Sequence, residues 1–517
     1  MMESALAIPE ILDEILKLAT PSTQAVAAQI CQCWSDRSLR WLWRRMDSFY
    51  PLLELLSPLA CTGNTWEFTS DLSASDWNRF TQYAARIFSL KFSSRCPYQN
   101  QEDSVASPQI FKEFNLRCPA PDSIFPNLTE VKWRADSIMD LSPILLFLVP
   151  TVTSFELDCG RPMDKECLDV LEHLWPRKIH LIEFRLTVRT HDQDFLDRLP
   201  AILADQTALT KVGLPPCSAT RAIVAVLGQL PSLRQYISSI FPEYQFPLEL
   251  GMEFDWHDQI FPSLERLTLY TSLIDASGLM GKSHQSRLRH LALISRKPFS
   301  YPELPAFCSS LSASQPCLTV LDLVLYSEPI SQRPLPFDLI RPLLQCTALV
   351  ELLVGSHRAI SYDDEDIVTM ASSWPKLQVL GLCWSPVIEV GLDAGQPLRS
   401  VSTFARSFHQ LVHLSIYVNS LDVGLTSSPQ SNNHHRRLAV MDFGTSPIAP
   451  GSAEAASLYL ADIIAPGGRI EAGRSGDHDR FWESPDREIE ECRRRATFWV
   501  SVFVEVLMIQ TRASHVA

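Results

Sequence analysis

The sequence has no cysteine framework. Its 13 cysteines stand singly, no CxxC pair occurs, and the nearest two, Cys31 and Cys33, are too close together for a usual zinc-ligand spacing. An odd, scattered set fits a reducing compartment. Positive charge is also short, with 45 Lys and Arg against 59 Asp and Glu and a formal net charge of -14. Nucleic acid and anionic membrane surfaces are held by clustered cations, so neither is expected as a partner, and proteins are. Long apolar runs are missing as well: Leu141–Val152 and Phe498–Ile509 fall short of the roughly 20 residues that a membrane span needs. Glu3, Glu10, Asp13 and Glu14 interrupt the first apolar pattern, which excludes a signal-peptide core. The expected setting is intracellular, in cytoplasm, nucleus or both. Glycine is scarce, 18 against 36 prolines.

What is present begins with helical periodicity. Ile8, Ile11, Leu12, Ile15 and Leu16 share one helical face, and Pro9 suits a first helical turn. After the Thr20-Pro21-Ser22 break, Val26, Ala27, Ile30, Cys31 and Trp34 repeat with helical spacing, and Leu39, Leu42, Trp43 and Met46 do so again. Three short helices within about 45 residues are fewer than usually fold without help. Such a unit either docks on a partner or caps the rest of its own chain.

The run Ala7-Ile8-Pro9-Glu10-Ile11-Leu12-Asp13-Glu14-Ile15-Leu16, the centre Ala28-Gln29-Ile30-Cys31-Gln32-Cys33-Trp34 and the close Leu39-Arg40-Trp41-Leu42-Trp43-Arg44-Arg45-Met46 resemble the F-box: an (L/I)P-E-(I/L)-L opening, a V-C-x-x-W centre and an L-W end. Ile30 stands where Val is usual. Pro51 to Leu56, and then Asp76-Trp77 with Phe80, Tyr83, Ala84 and Ile87 leading into Leu90, are similar to large fungal F-box families. The resemblance implies docking on a Skp-family adaptor, and through it a cullin. Pro9, Ile11, Leu12, Ile15, Ile30, Cys31, Trp34, Leu42 and Trp43 match the motif positions for that contact.

From Leu128 onward an LxxLxL-like pattern returns, starting at Leu128, Val152, Leu181, Leu209, Leu233, Leu264, Leu288, Leu318, Leu349, Leu377, Leu411 and Leu438. A looser copy sits at Ile87, Leu90 and Phe92. Adjacent starts lie 24 to 34 residues apart. Proline precedes several of them, as in Phe261-Pro262-Ser263-Leu264, where it stops a helix and lets a strand begin. Between starts lie helical patterns such as Ile223, Val224, Leu227 and Leu230. The array resembles leucine-rich repeats. Only Leu411, Leu414, Ile416, Asn419 and Leu421 complete the longer LxxLxLxxNxL form, with Cys217 in the Asn/Cys place of the Leu209 unit.

The expected fold is α/β: a three-helix F-box (1–50), a linker leading into the repeats (51–124), a degenerate leucine-rich-repeat solenoid with its parallel sheet concave and helices convex (125–466), and a C-terminal capping segment (467–517). Thr426–Arg437 and Gly467–Asp479 read as exposed loops. Ala453–Ile464 reads as the last well-formed helix, and Pro485–Gln510 begins as a charged helix and ends in an apolar run of ambiguous period.

Outward positions on the repeat strands are the expected protein-substrate contacts. Early units present Glu130, Lys132, Arg134, Glu156, Asp158, Glu183 and Arg185. Later ones present Val320, Val324, Leu353, Val379 and Cys383, and a cluster of outward apolar residues marks an interaction site.

Enzymatic and cofactor signals are weak. Ala276–Ser283 fits a relaxed phosphate-loop pattern, but the next strand start at Leu288 leaves no room for the helix that such a loop needs. Asp363, Asp364, Glu365 and Asp366 read as a helix N-terminus, His434 and His435 as solvated loop residues, and no G-x-S-x-G elbow occurs. No cofactor and no catalysis are expected. Two functions stay open: a substrate-recognition adaptor of a Skp/cullin/F-box ubiquitin ligase, or a leucine-rich-repeat scaffold that binds a protein without any link to ubiquitin.

Overall fold

The computed structural model describes residues 8–62, 65–93, 105–106, 108–117, 124–160, 163–174, 179–188, 192–215, 220–238, 261–282, 287–327, 334–356, 358–383, 386, 395–419, 438–448, 451–472 and 486–516. Thr426–Arg437 with its two histidines, Cys217, Leu421 and the stretch from 473 to 479 lie outside them. The chain divides into two compact units, Met1–Leu233 and Arg234–Ala517.

Unit 1 opens with α1 (Pro9–Leu18), α2 (Pro21–Ala27) and α3 (Gln32–Leu42). Proline occupies the first turn of α1 and of α2, where its missing amide costs nothing. Thr20 caps α2 by accepting from the Thr23 amide at 3.3 Å. The second and third helices are shorter than the sequence pattern implies. Ile30 and Cys31 fall between α2 and α3, and Met46 belongs to a strand.

That strand is β1 (Arg45–Met46). It begins a parallel sheet that continues through β2 (Ser89–Ser93), β3 (Glu130–Ala135), β4 (Ser154–Cys159), β5 (Glu183–Thr187) and β6 (Lys211–Leu214) in chain order. Helices stand between strands: α4 (Ala74–Ala84) and α5 (Pro108–Arg117) before β3, then α6 (Asp164–Glu172), α7 (Gln193–Ala204) and, after β6, α8 (Arg221–Gln229). Two 3-10 turns, Ile138–Asp140 and Ser142–Leu146, take the helical place between β3 and β4. Leu90, Val131, Phe155, Phe184 and Val212 lie in one register row and are buried, so each repeat start delivers one residue to a continuous apolar ladder. An aromatic cluster closes this core, with Phe92 stacked on Trp133 at 3.9 Å and Phe147 beside Phe49 at 4.9 Å.

Unit 2 holds β7 (Gln235–Ser238), β8 (Arg266–Tyr270), β9 (His290–Phe299), β10 (Val320–Ser327), β11 (Glu351–Ser356), β12 (Val379–Leu382), β13 (His413–Ile416), β14 (Leu438–Asp442) and β15 (Ile464–Glu471), again parallel neighbours in chain order. Its helices are α9 (Leu273–Lys282), α10 (Glu303–Ser314), α11 (Asp364–Ser373), α12 (Ser400–Ser407), α13 (Ala453–Ala461) and α14 (Asp486–Val516). The buried row runs Leu267, Leu291, Leu321, Leu352, Leu380, Leu414, Met441 and Ile470. Both units are thus mixed α/β, with large parallel sheets and, among the described residues, helices or 3-10 turns between most successive strands.

Two expectations for the C-terminal part change. Gly467–Glu471, read as loop, is the second half of β15. The register skips between Leu438 and Val440, and Gly467 at φ +78° takes up the extra residues in a left-handed turn that side chains resist. The ambiguous apolar run after Pro485 is helix: α14 buries Cys492, Arg495, Trp499, Val502 and Val506, a stripe of alternating three- and four-residue steps, and packs against α13 and β15.

Candidate functional site

The N-terminal helices carry two apolar stripes. Inward, Leu12 and Leu16 meet Ala27, with Trp34 and Trp41 packed against them. Two polar clamps hold this small core. Arg37 pairs with Asp13 at 2.6 Å and donates to the Pro9 carbonyl at 3.2 Å, while the Gln24 amide donates to the carbonyls of Leu16 at 2.7 Å and Ala19 at 3.2 Å, adding to the Ala19 amide that already donates to Leu16 at 3.2 Å.

Outward, Ile8 at the N-cap of α1 and Ile11, Ile15 and Leu18 along it recur at steps of three and four, the last 85% exposed and Ile11 and Ile15 at 40% and 45%. Val26 on α2 and Ile30 just after it, 60% exposed, add two more. Monomer surfaces carry single exposed aliphatic residues routinely, but a periodic stripe is what a partner covers.

Of the nine residues expected at the docking contact, Pro9, Ile11, Ile15, Ile30 and Cys31 are exposed, and Trp34, Leu42 and Trp43 are half-buried. Leu12 is a correction: at 1% exposure it is core, because one helical turn separates it from Leu16 and both point at Ala27. Trp43 lies against Tyr83 of α4 at 4.8 Å, so its ring serves the joint with α4 at least as much as a partner. The sequence reading left out Leu18, and it did not separate the outward positions from Leu12 and Leu16. The signal was there, since Leu18 widens the apolar face of residues 8, 11, 12, 15 and 16 to about 160°, more than the small core of Leu12, Leu16 and Ala27 covers.

On unit 1 the sheet face opposite the apolar row is polar. Lys132 pairs with Glu130 at 2.9 Å, Lys211 with Glu183 at 3.6 Å, Arg185 with Glu156 at 3.8 Å and Arg134 with Asp158 at 3.9 Å. The last three join residues on neighbouring strands, an opposite-charge ladder of the kind that supports strand pairing. Gly213 leaves room for the Arg185 side chain, whose Cγ would lie 3.1 Å from a Cβ there.

The apolar patch expected on unit 2 is smaller than the sequence implies. Val320, Leu353 and Val379 are half-buried, whereas Val324 is 3% and Cys383 1% exposed, and neither offers surface. Val324 sits in register with Ile294, itself buried. Cys383 comes just after the end of β12 at φ 45°, so strand alternation no longer sets its direction, and its amide donates to the Val354 carbonyl at 2.7 Å. Burial pushes its thiol well above the usual range despite the nearby Arg358, which makes it a poor nucleophile.

Residues 276–282 are part of α9, where Ser277 donates to the Leu273 carbonyl at 2.7 Å; no loop exists there to cradle a phosphate. Asp363 and Asp366 form a reciprocal capping box on α11, and Arg341 reaches Asp366 at 3.1 Å. Ser415 and His413 lie 3.0 Å apart on β13, an i, i+2 contact along one strand with the serine buried. Among the described residues no group of His, Cys, Asp and Glu could hold a metal ion, and no helix is long and apolar enough to cross a membrane.

No family model matches the chain, and no curated protein does. Among solved structures, the crystal structure of the Rad7 and Elc1 complex in yeast matches over 83% of this chain and 91% of that one, at 12% identity and a TM-score of 0.36. A likeness of that degree carries no argument.

Proposed function

We propose that this chain is a non-catalytic, substrate-recognition adaptor: its N-terminal helices are an F-box that docks a Skp-family adaptor and, through it, a cullin, and its leucine-rich repeats bind a protein substrate. The observation that carries the reading is the outward stripe Ile8, Ile11, Ile15 and Leu18, exposed above a core as small as Leu12, Leu16 and Ala27. It lies on the segment whose motif order resembles the F-box. The chemistry is proximity: a substrate held near a charged ubiquitin-carrying enzyme presents its lysine in a nearly intramolecular step. The setting proposed is cytoplasm, nucleus or both, where that machinery works.

Substrate is proposed to lie against the half-buried Val320, Leu353 and Val379, which remain of the expected apolar patch. Val320→Asp with Val379→Asp is expected to release proteins that the unsubstituted chain retains while adaptor binding persists; unchanged retention rejects the patch.

The docking test is co-purification of the full chain with a Skp-family adaptor, beside Ile11→Asp with Ile15→Asp. Both positions are exposed, so the variant keeps the fold, which Leu12→Asp would not. Binding lost in the variant supports the reading. A folded unsubstituted chain that does not bind rejects it and favours a repeat scaffold.

A further inference from the structure

The exit from α3 is tied to the end of α4 and the start of β2 at two separated places. Only Trp43 and Arg44 lie between α3 and β1. The Arg44 guanidinium stands over the Phe88 ring at 4.2 Å and the Trp41 ring at 5.1 Å, and the Arg44 carbonyl accepts the amides of Phe88 at 2.9 Å and Ser89 at 3.1 Å. Toward the other end of α3, Asp36 accepts from Arg86 at 2.9 Å; the same guanidinium lies over the Tyr83 ring at 5.6 Å, and Tyr83 packs on Trp43. With a rise of about 1.5 Å per residue, Asp36 and Trp43 are about 10 Å apart along the helix. One attachment would leave a pivot. Two at that separation oppose rotation, because any swing of α3 breaks the ion pair at one end or the ring contacts at the other.

We infer that Arg44 and Arg86 are positioning residues that lock the N-terminal docking face in a fixed direction relative to the first strands of unit 1. A partner seated on α1 is then carried at a set angle, not on a tether. For a proximity mechanism this matters, since effective concentration depends on whether the connection is stiff and of the right span. The lock stands on the contacts themselves; only the identity of the carried partner rests on the adaptor reading.

The test is a distance distribution from pulsed electron paramagnetic resonance on the full chain, with spin-labelled non-natural residues at the exposed Lys17 on α1 and Lys91 on β2. The unsubstituted background is expected to give one narrow distance. Arg44→Ala with Arg86→Ala is expected to broaden it and to leave co-purification with a Skp-family adaptor unchanged. Arg44→Lys, which keeps a cation over the rings, is expected to retain most of the narrowness, a rescue that loss of packing volume alone would not give. Asp36→Ala removes one exposed carboxylate without touching the core and is expected to give intermediate broadening, which keeps the question open to test should the double variant misfold. A broad distribution in the unsubstituted background, or one narrow distribution in all variants, overturns the lock. A narrow distance in a chain that does not bind the adaptor leaves the lock standing and removes the docking reading instead.

Discussion

The first and last long helices each carry apolar residues on two sides, and they use them differently. In α14 the inward side does the anchoring. Trp499 stacks on Phe443 at 4.2 Å and donates to the Ser446 carbonyl at 3.0 Å, Arg495 donates to the Thr445 carbonyl at 2.8 Å, and Ser457 donates to Glu505 at 2.8 Å. The outward Val500, Val504, Leu507 and Met508 are a remainder on a helix already held. In α1 the proportions reverse: only two leucines face inward, with Gln24 of α2 clamping the helix end, and four aliphatic side chains, counting Ile8 at the N-cap, face out. Exposed apolar surface therefore argues for a partner most strongly where the element's own anchoring is weakest.

That contrast can be broken in graded ways. Trp499→Ala should have the largest effect, a loss of about 3–5 kcal/mol from unit 2, read in denaturant unfolding as an earlier transition; a smaller shift would mean that α14 is held by other contacts. Leu12→Ala should cost about 2–5 kcal/mol, confined to the N-terminal helices, with faster amide exchange across α1–α3 and none across β3–β6. Spread of the effect through unit 1 would show that the three helices share its core. Val504→Asp, on the outward side of α14, should change stability by no more than about 0.5 kcal/mol and leave adaptor binding intact; loss of binding would place the docking surface on the wrong helix.

The smallest effect concerns pH. Two hydrogen bonds from Arg494, with Arg495 adding a third, hold the Glu491 carboxyl down at about 2. A depressed carboxylate stabilises the folded state fully above its ordinary value near 4.5 and loses that contribution as pH falls toward 2. The start of α14 should fray over that window, seen as lost helical circular dichroism that Glu491→Gln removes in advance at neutral pH. Identical acid profiles for the two chains would count against it.

Legibility in the sequence tracks where the chain is constrained. Each repeat start commits one residue to the shared apolar row, so Leu264 and Leu318 foretold strands beginning at Arg266 and Val320. Strand β1 was hidden because Met46 also fits a helical period, and β15 because its glycines, which form a bulge within the strand, have the composition of a loop. In α14, apolar residues on both sides blurred the period. The same ambiguity blurred the site: Leu12 and Ile15 are chemically alike, and only packing against Ala27 and Trp34 sends one inward. Val324 and Cys383 failed for another reason, since alternation along a strand says which way a residue points, not what covers it or where the strand ends.

The central claim is that α1 and the residues around Ile30 are a docking face for a Skp-family adaptor. Hydrogen–deuterium exchange of the full chain with and without that adaptor tests it most directly. The account predicts slowed exchange across residues 9–34 and unchanged exchange in β8–β13; protection on the sheets with none on α1, or no protection anywhere in a folded chain, would contradict it.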